Sequence, residues 1–209
     1  MRWWDEQVVP RVTDRLLDVG EIHRLRARVC AGLEGEVLEI GFGSGLNVEH
    51  YPPAVTKVHA VEPSDVAWRI AEEKHLGRGG PAVVRAGLDG QVLDLADGSV
   101  DAAVSTFTLC TIPDVGAALR EVHRVLRPGG SFHFVEHGLA PEPRVARWQH
   151  RLTPIQRRVG AGCHLDRPIA DLVAGSGLVV EDLETFYLGG GAPGTRVVGY
   201  LYLGRAVRT

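Results

Sequence analysis

The chain has 209 residues, of which 44% are hydrophobic and 23% are charged, and its formal net charge is −3. This composition is typical of a globular protein and excludes disordered, collagen-like and disulfide-framed chains. The near-neutral charge argues against nucleic acid as a partner, because that role requires a strongly basic surface. At roughly 150 residues per domain, the length predicts a single domain, residues 1–209.

The N-terminus and the cysteines indicate where the protein works. Three of the first six residues are charged, and the N-terminus lacks the apolar segment of a signal peptide. No apolar run reaches the roughly 20 residues of a membrane-spanning helix. Cys30, Cys110 and Cys163 are odd in number and form no CxxC pair, which is typical of reduced intracellular thiols. We therefore expect a cytoplasmic protein without a membrane span.

Apolar side chains recur at helical intervals in residues 1–33, which predicts one or two amphipathic helices that form an N-terminal cap. Short β-type runs alternate with helical segments after it. Late runs from Leu178 and Val197 flank the glycine-rich residues 189–194 and predict a hairpin. The other β-type runs cover 37–40, 58–61, 82–84, 100–104 and 132–135. One helix is predicted over 66–75. A second helix is predicted to begin at the cap Asp114, to include Leu126 and to stop at Pro128.

This alternation predicts an α/β fold. Strands that are apolar on both faces belong to a parallel sheet covered by helices on both sides. We expect a Rossmann-like three-layer sandwich with a mainly parallel seven-stranded sheet and a C-terminal antiparallel hairpin. Ligands of such sheets bind beyond the carboxyl ends of the strands, where the strand order reverses.

A glycine-rich loop follows the first strand and reads Glu-Ile-Gly-Phe-Gly-Ser-Gly-Leu-Asn over residues 39–47. Alternate glycines let the backbone turn sharply and let a ligand approach the amide groups. A helix is expected after the loop. Glu62 comes about 20 residues later, at the end of the second strand, where a carboxylate can accept both hydroxyls of a ribose. The pattern indicates a ligand that contains a nucleoside.

Two ligand classes compete for this loop. A dinucleotide site requires G-x-G-x-x-G, but Leu46 stands at the last position. Glu39 precedes the first glycine, and no Lys or Arg occurs between Glu36 and Thr56, which disfavours a pyrophosphate. S-adenosylmethionine, with its sulfonium, ammonium, single carboxylate and ribose, fits this charge better. A nicotinamide-dependent oxidoreductase and a non-catalytic nucleoside-cofactor-binding protein are the alternatives.

Three motifs resemble the class I S-adenosylmethionine-dependent methyltransferases: the acid and glycines of residues 39–45, Glu62-Pro63, and residues 126–130. Residues 106–110, Glu136-His137 and 162–165 are similar to the small thiol methyltransferase (methyltransferase-like 7) branch and its bacterial relatives. The resemblance implies that the first acid holds the amino-acid end of the cofactor, that the glycines pass beneath it and that the second acid binds the ribose. The cofactor-binding residues predicted in this way are Glu39, Gly41, Gly43, Gly45, Asn47, Glu62, Pro63, Gly87, Leu88 and Thr106.

The chain departs from this family at two places. Many members carry an acid beside the adenine after the third strand, whereas this chain has Ala86-Gly87-Leu88 before Asp89. Either the Asp89 side chain or the backbone of Leu88 would then contact the adenine. The animal thiol enzymes also carry an N-terminal membrane anchor. The N-terminus here is charged instead, so the resemblance does not imply a membrane location for this chain.

Residues 133–137 spell H-x-x-E-H, which binds zinc when it lies on a helix. In the predicted strand the two histidines would lie about 13 Å apart, too far to share one ion. We therefore expect no metal. His137 lies at the carboxyl end of a strand and is the predicted catalytic base, with a hydrogen-bonded structural histidine as the alternative.

Residues 144–159 form a basic amphipathic segment, which favours a solvated helix face and leaves a peripheral membrane contact open. Residues 138–165 are the predicted substrate lid. Cys163-His164 is interpreted as a buried small side chain beside a histidine, with a reactive thiol pair as the alternative. The residues predicted to line the acceptor pocket are Phe107, Leu109, Cys110, Trp148 and Tyr187.

These patterns predict methyl transfer from S-adenosylmethionine to a small molecule, with a thiol or an apolar, lipid-like compound as the acceptor. The sulfonium is an activated donor, so the protein mainly has to align the acceptor and exclude water. The sequence leaves the oligomeric state undetermined.

Overall fold

A computed structural model describes residues 8–160, 162–192 and 195–209. The helices are α1 (Val9–Leu17), α2 (Gly20–Cys30), α3 (Asp65–Lys74), α4 (Val115–Val125), α5 (Pro143–Val159) and α6 (Ile169–Ala174). The strands are β1 (Gly35–Ile40), β2 (Val55–Val61), β3 (Ala82–Gly87), β4 (Val100–Thr106), β5 (Leu126–His137), β6 (Val179–Tyr187) and β7 (Tyr200–Val207).

The seven strands form one sheet in the order β3-β2-β1-β4-β5-β7-β6. β1 pairs in parallel with both β2 and β4, so the strand order reverses between β1 and β4. β7 is antiparallel to both of its neighbours, β5 and β6. The predicted mainly parallel sheet with a C-terminal antiparallel hairpin is confirmed. Residues 193–194, at the predicted hairpin tip, lie outside the described residues.

Helices cover both faces of the sheet. α4 and α6 share one apolar cluster with Phe132 and Phe134 of β5. α2 shares the other cluster with Val135, the next residue of the same strand. Successive side chains of a strand point to opposite faces, so these clusters are the two interfaces of a three-layer sandwich. α1 lies beside α3.

Local signals explain where several helices begin and end. The Ser64 side chain accepts from the Ala67 amide at 3.2 Å, and Asp114 accepts from the Ala117 amide at 2.9 Å, so both cap a helix. The prediction that Leu126 belongs to the second of these helices was wrong. Leu126 is extended and pairs with Val100 in the sheet, because Pro128 prevents a further helical turn.

The helix expected after the glycine loop was also wrong. The connection from β1 to β2, residues 41–54, contains only a 3-10 turn, Val48–His50. Asn47 and Tyr51 turn their side chains inward to the Glu39 carboxylate, and Pro52-Pro53 follows at once. These inward contacts and the two prolines leave no room for a regular helix.

His133 joins β5 to α2 and makes the fold sensitive to acid. Its Nδ1 donates to the Val29 carbonyl at 3.0 Å, and its Nε2 accepts from the Ser131 hydroxyl at 3.0 Å. Burial lowers the pKa of His133 to about 4. Between pH 6.5 and about 4 the unfolded chain binds a proton that the folded protein does not. The free energy of unfolding therefore decreases as the pH is lowered through this window.

We expect this histidine to contribute a loss of roughly 3 kcal/mol on acidification. Urea unfolding at a series of pH values, in the wild type and in His133→Gln, would measure it. The variant should be less stable at pH 7 and should lose less stability between pH 6.5 and 4. Parallel pH profiles for the two proteins would contradict the assignment.

Candidate active site

A cleft of about 660 Å³ opens at the carboxyl ends of β1, β2, β4 and β5. The cleft is lined by the glycine loop, by α1 along its length and by the C-terminal end of α5. Among the residues that sequence reasoning selected, those that line this cleft are Gly41, Gly43, Glu62, Pro63, Thr106, Phe107, Cys110, His137 and Cys163.

The glycine loop is held against the end of β2. The amides of Gly41 and Phe42 both donate to the Val61 carbonyl, at 3.0 and 3.1 Å. Gly41 has a φ of 73°, and a Cβ there would lie 2.1 Å from the Thr108 hydroxyl. Only glycine satisfies this conformation and this close approach. The loop amides are therefore brought to the cleft wall by the backbone itself.

Glu62 lies at the corner between the loop and α3. One carboxylate oxygen accepts from the Gly43 amide and the other from the Ser64 amide, each at 2.7 Å. Burial raises the pKa of Glu62, and these two amides act in the opposite direction. Each carboxylate oxygen has two lone pairs, so both can still accept a hydroxyl.

Arg26 is a cleft residue that sequence reasoning missed. It is 4% exposed, and its Nη1 donates to the Asn47 Oδ1 at 2.8 Å and to the Thr106 hydroxyl at 3.0 Å. Its Nε is buried and has no hydrogen-bond partner among the described residues. The available signal was an arginine among Ile22, Leu25 and Val29 on the apolar face of α2. A guanidinium with an unpartnered N–H at a cleft wall suits a carboxylate ligand.

Asp14 of α1 was missed for a different reason. It is buried at the cleft, and one of its carboxylate oxygens accepts from Lys74 at 2.6 Å. The other oxygen has no hydrogen-bond partner among the described residues. An aspartate with no motif around it gives no sequence signal, so only the packing of α1 beside α3 reveals it.

Glu39 and Asn47 lie behind Arg26 and are not part of the cleft lining. The Glu39 carboxylate accepts from the side-chain amide of Asn47 (Nδ2) at 2.6 Å and from the Tyr51 hydroxyl. Burial raises the pKa of Glu39 to about 8, while the positive charge of Arg26 opposes this shift. In this arrangement both residues support Arg26, and their contact with a cofactor remains a proposal.

Three other predicted cofactor residues also lie outside the cleft lining. Gly45 packs beside Phe42, the Gly87 carbonyl accepts from the Glu62 amide at 3.1 Å, and Leu88 is 59% exposed. Asp89 accepts from the Gln91 amide at 2.9 Å. The adenine contacts assigned to this region stay predictions.

The far end of the cleft carries two thiols and an imidazole. Cys163 Sγ lies 3.6 Å from the His137 Nε2, and Cys110 lines the same wall. Hydrogen bonds with Cys110 and with His137 lower the pKa of the Cys163 thiol. Cys163 is half-buried rather than buried, and the alternative interpretation, a reactive Cys163-His164 pair, was wrong about the partner of the thiol because His164 turns toward Asp166. Phe107, beside them, has a φ of 54°, a strained conformation that is typical of functional sites.

Three residues predicted to line the acceptor pocket lie elsewhere. Leu109 is fully buried in the core, Trp148 is 53% exposed and Tyr187 donates to the Glu142 carboxylate at 2.6 Å. Trp148 lies on the outer face of α5, among arginines, because the inner face of this helix carries the buried Gln149 and Thr153. The residues of α5 and its C-terminal end that line the cleft are Gln156, Val159 and Gly160.

The sequence model of the family described as "Methyltransferase domain" matches residues 38–134. These residues contain the glycine loop, Glu62 and most of β5, and they contribute the central strands of the sheet described above. Residues 38–134 therefore resemble a methyltransferase domain. Among the residues that the structure describes, no helix of the protein has the length and apolar character needed to cross a membrane.

Relatives of this chain include proteins described as thiol S-methyltransferases. The human (Homo sapiens) thiol S-methyltransferase TMT1A is 40% identical over 146 residues, which are 66% of this chain and 58% of that protein. The thiol S-methyltransferase TMT1B of Rattus norvegicus is 38% identical over 140 residues, which are 64% of this chain and 56% of that protein. The chain thus matches less than two thirds of the length of these relatives.

Solved structures share the fold of this chain. A SAM-dependent methyltransferase from Thermotoga maritima superimposes with a TM-score of 0.68 at 21% identity and covers 100% of this chain and 99% of its own. Geranyl diphosphate methyltransferase, solved in complex with SAM, gives a TM-score of 0.69 at 16% identity over 90% of this chain and 84% of that one. At these identities the likeness shows the fold alone.

Proposed function

We propose that this protein transfers a methyl group from S-adenosylmethionine to a small-molecule thiol. One observation carries the proposal: a single cleft is lined both by Glu62 and Arg26 and by the Cys110, His137 and Cys163 side chains. The thiol S-methyltransferases among the relatives support the same acceptor class.

The cofactor end of the cleft fits S-adenosylmethionine. The guanidinium of Arg26 lines the cleft and can donate to the carboxylate of the cofactor, and Glu62 can accept the ribose hydroxyls while it holds the glycine loop. When bound, the cofactor supplies a methyl group on a positively charged sulfur. Among the described residues, the cleft lining has no cluster of Lys or Arg that would favour a pyrophosphate, which disfavours a nicotinamide dinucleotide.

The remaining residues would align the acceptor and exclude water. We propose residues 8–33 as the described part of the N-terminal cap and 138–165 as the substrate lid of a single domain, because Leu16, Gln156 and Val159 meet at the cleft. The acceptor would be activated beside His137. A cytoplasmic location rests on the three free cysteines.

A screen with labelled methyl groups tests the proposal. We expect transfer to small aliphatic and aromatic thiols, and slower or no transfer to phenols and carboxylates, because thiols have a far larger anionic fraction near neutral pH than alcohols do. Uniformly absent transfer would favour a non-catalytic nucleoside-binding protein.

Calorimetry with S-adenosylhomocysteine and with NADH separates the two cofactor classes. We expect S-adenosylhomocysteine to bind and NADH not to bind. NADH binding in the absence of S-adenosylhomocysteine binding would instead support an oxidoreductase.

A further inference from the structure

Three potential metal ligands meet at the acceptor end of the cleft. Cys110 follows β4, His137 ends β5 and Cys163 follows α5, and their ligand atoms all lie within 4.8 Å of one another. All three side chains line the cleft. None of them is among the residues proposed to hold the cofactor. The cluster therefore requires a separate explanation.

The spacing of this cluster suits a tetrahedral metal centre. With metal–sulfur bonds of about 2.3 Å and metal–nitrogen bonds of about 2.0 Å, neighbouring ligand atoms of tetrahedral zinc lie about 3.5 to 3.8 Å apart. The distance from Cys163 Sγ to His137 Nε2 is 3.6 Å. A rotation of the Cys110 side chain, whose thiol now donates to the Phe107 carbonyl at 3.6 Å, would complete the set.

We propose that Cys110, His137 and Cys163 bind a Zn²⁺ ion whose fourth position faces the cleft and receives the acceptor thiol. Two sulfur ligands and one imidazole select zinc over magnesium, calcium or manganese, which prefer oxygen ligands. Three protein ligands with one open position are typical of catalytic zinc, whereas structural zinc sites have four protein ligands.

The surrounding side chains hold the cluster in place. Arg167 is buried, and its guanidinium donates to the backbone carbonyls of Leu109 and Ile112, on both sides of Cys110. Glu136 is fully buried and accepts from the Ser105 hydroxyl and the Thr108 amide, which fixes the end of β5 next to His137. Ligands on such constrained segments need little rearrangement to bind an ion.

This site is distinct from the H-x-x-E-H pattern that the sequence analysis excluded. His133 lies on the same face of β5 as His137 but further from the carboxyl end of the strand; it bonds to the Val29 carbonyl and does not line the cleft. The proposed ligands come from three separate segments of the chain. The expectation of no metal was based on the H-x-x-E-H pattern alone.

In the proposed methyl transfer, the zinc ion would activate the acceptor thiol. This catalytic role rests on the proposed function, whereas zinc binding itself does not. On coordination the acceptor thiol releases its proton to solvent and a zinc–sulfur bond forms. Methyl transfer forms one carbon–sulfur bond as the carbon–sulfur bond of the sulfonium breaks, which leaves two neutral thioethers. A thioether binds zinc more weakly than a thiolate, so the product can leave. His137 is then a metal ligand.

Cobalt titration of the reduced, chelator-treated protein tests the site. We expect one equivalent of Co²⁺ to produce a sulfur-to-metal charge-transfer band, and Zn²⁺ to displace it. Outer ligands of zinc are worth about ten- to a hundredfold in affinity, so loss of the direct ligand in Cys163→Ser or Cys110→Ser should weaken binding by about a hundredfold or more. Circular dichroism would confirm that each variant is folded.

Two control variants make the titration specific. Cys30→Ala removes a buried cysteine that lies outside the cluster and should leave the band unchanged. A second group, His23, Glu49 and His50, also places its ligand atoms within 4.8 Å but contains no sulfur. His50→Ala should therefore also leave the charge-transfer band unchanged. Absence of the band, or a band that survives in both cysteine variants, would overturn the zinc site.

Activity measurements separate the two proposals. Methyl transfer to thiols that is lost on chelation and restored by Zn²⁺ supports the role of the metal, whereas an unchanged rate overturns that role and leaves the methyltransferase function intact. A protein that binds zinc through the cysteines but methylates no thiol would refute the proposed function and leave the metal site intact.

Discussion

Replacement of Arg26 by methionine is expected to destabilise the protein by about 3 kcal/mol and to weaken S-adenosylhomocysteine binding at least tenfold, which is about 1.4 kcal/mol. The guanidinium is buried between Asn47 and Thr106, and its charge opposes the high pKa of the buried Glu39. Without it Glu39 is left without a counter-charge, and the cleft loses the one arginine that lines it among the described residues.

Urea unfolding and calorimetry would measure the two effects of Arg26→Met. Arg24→Met is the matched control, because Arg24 is exposed on the same helix and should change stability by less than about 0.5 kcal/mol. In a double-mutant cycle, Glu39→Gln should relieve part of the cost, since it removes the unpaired acid. Additive effects of the two substitutions would show that Arg26 and Glu39 do not interact.

Replacement of Glu62 by alanine should weaken S-adenosylhomocysteine binding at least tenfold, the value of about one charge-assisted hydrogen bond. The carboxylate is expected to accept the ribose hydroxyls while it also binds the amides of Gly43 and Ser64. Glu73→Ala, at an exposed position on α3, is the control and should bind normally. Unchanged affinity of Glu62→Ala would show that the ribose is held elsewhere.

A second ligand distinguishes the two roles of Glu62. An analogue that lacks the ribose hydroxyls cannot use the carboxylate as an acceptor. If the ribose contact causes the loss, the wild type and Glu62→Ala should bind this analogue with equal affinity. If the loss comes from a loosened glycine loop, the variant should bind the analogue more weakly as well.

Some features were correctly predicted because their causes are local. Asp114 caps a helix, as predicted, through a hydrogen bond that spans three residues, and Gly41 adopts a conformation open only to glycine. The alternation of strands and helices predicted the mainly parallel sheet. The order of such a sheet then placed Glu62 and His137 at one edge, because the carboxyl ends of its parallel strands lie together.

Other features could not be predicted from patterns within the chain. Arg26 reaches Thr106 across 80 residues of sequence, and α2 must pack on the sheet before the two can meet. Sequence neighbours misled the interpretation of Cys163, because adjacent side chains point in different directions: His164 turns toward Asp166, while His137 approaches from β5.

The sequence by itself determined the α/β fold, the edge of the sheet that carries the cleft and the glycine loop with its second acid, since all of these follow from residue type and short-range spacing. Only the tertiary structure decided which side chains meet across that cleft: Arg26 in front of Glu39, and His137 between two cysteines. The physical reason is that a side-chain contact depends on how helices and strands pack, and that packing is set by the whole core at once.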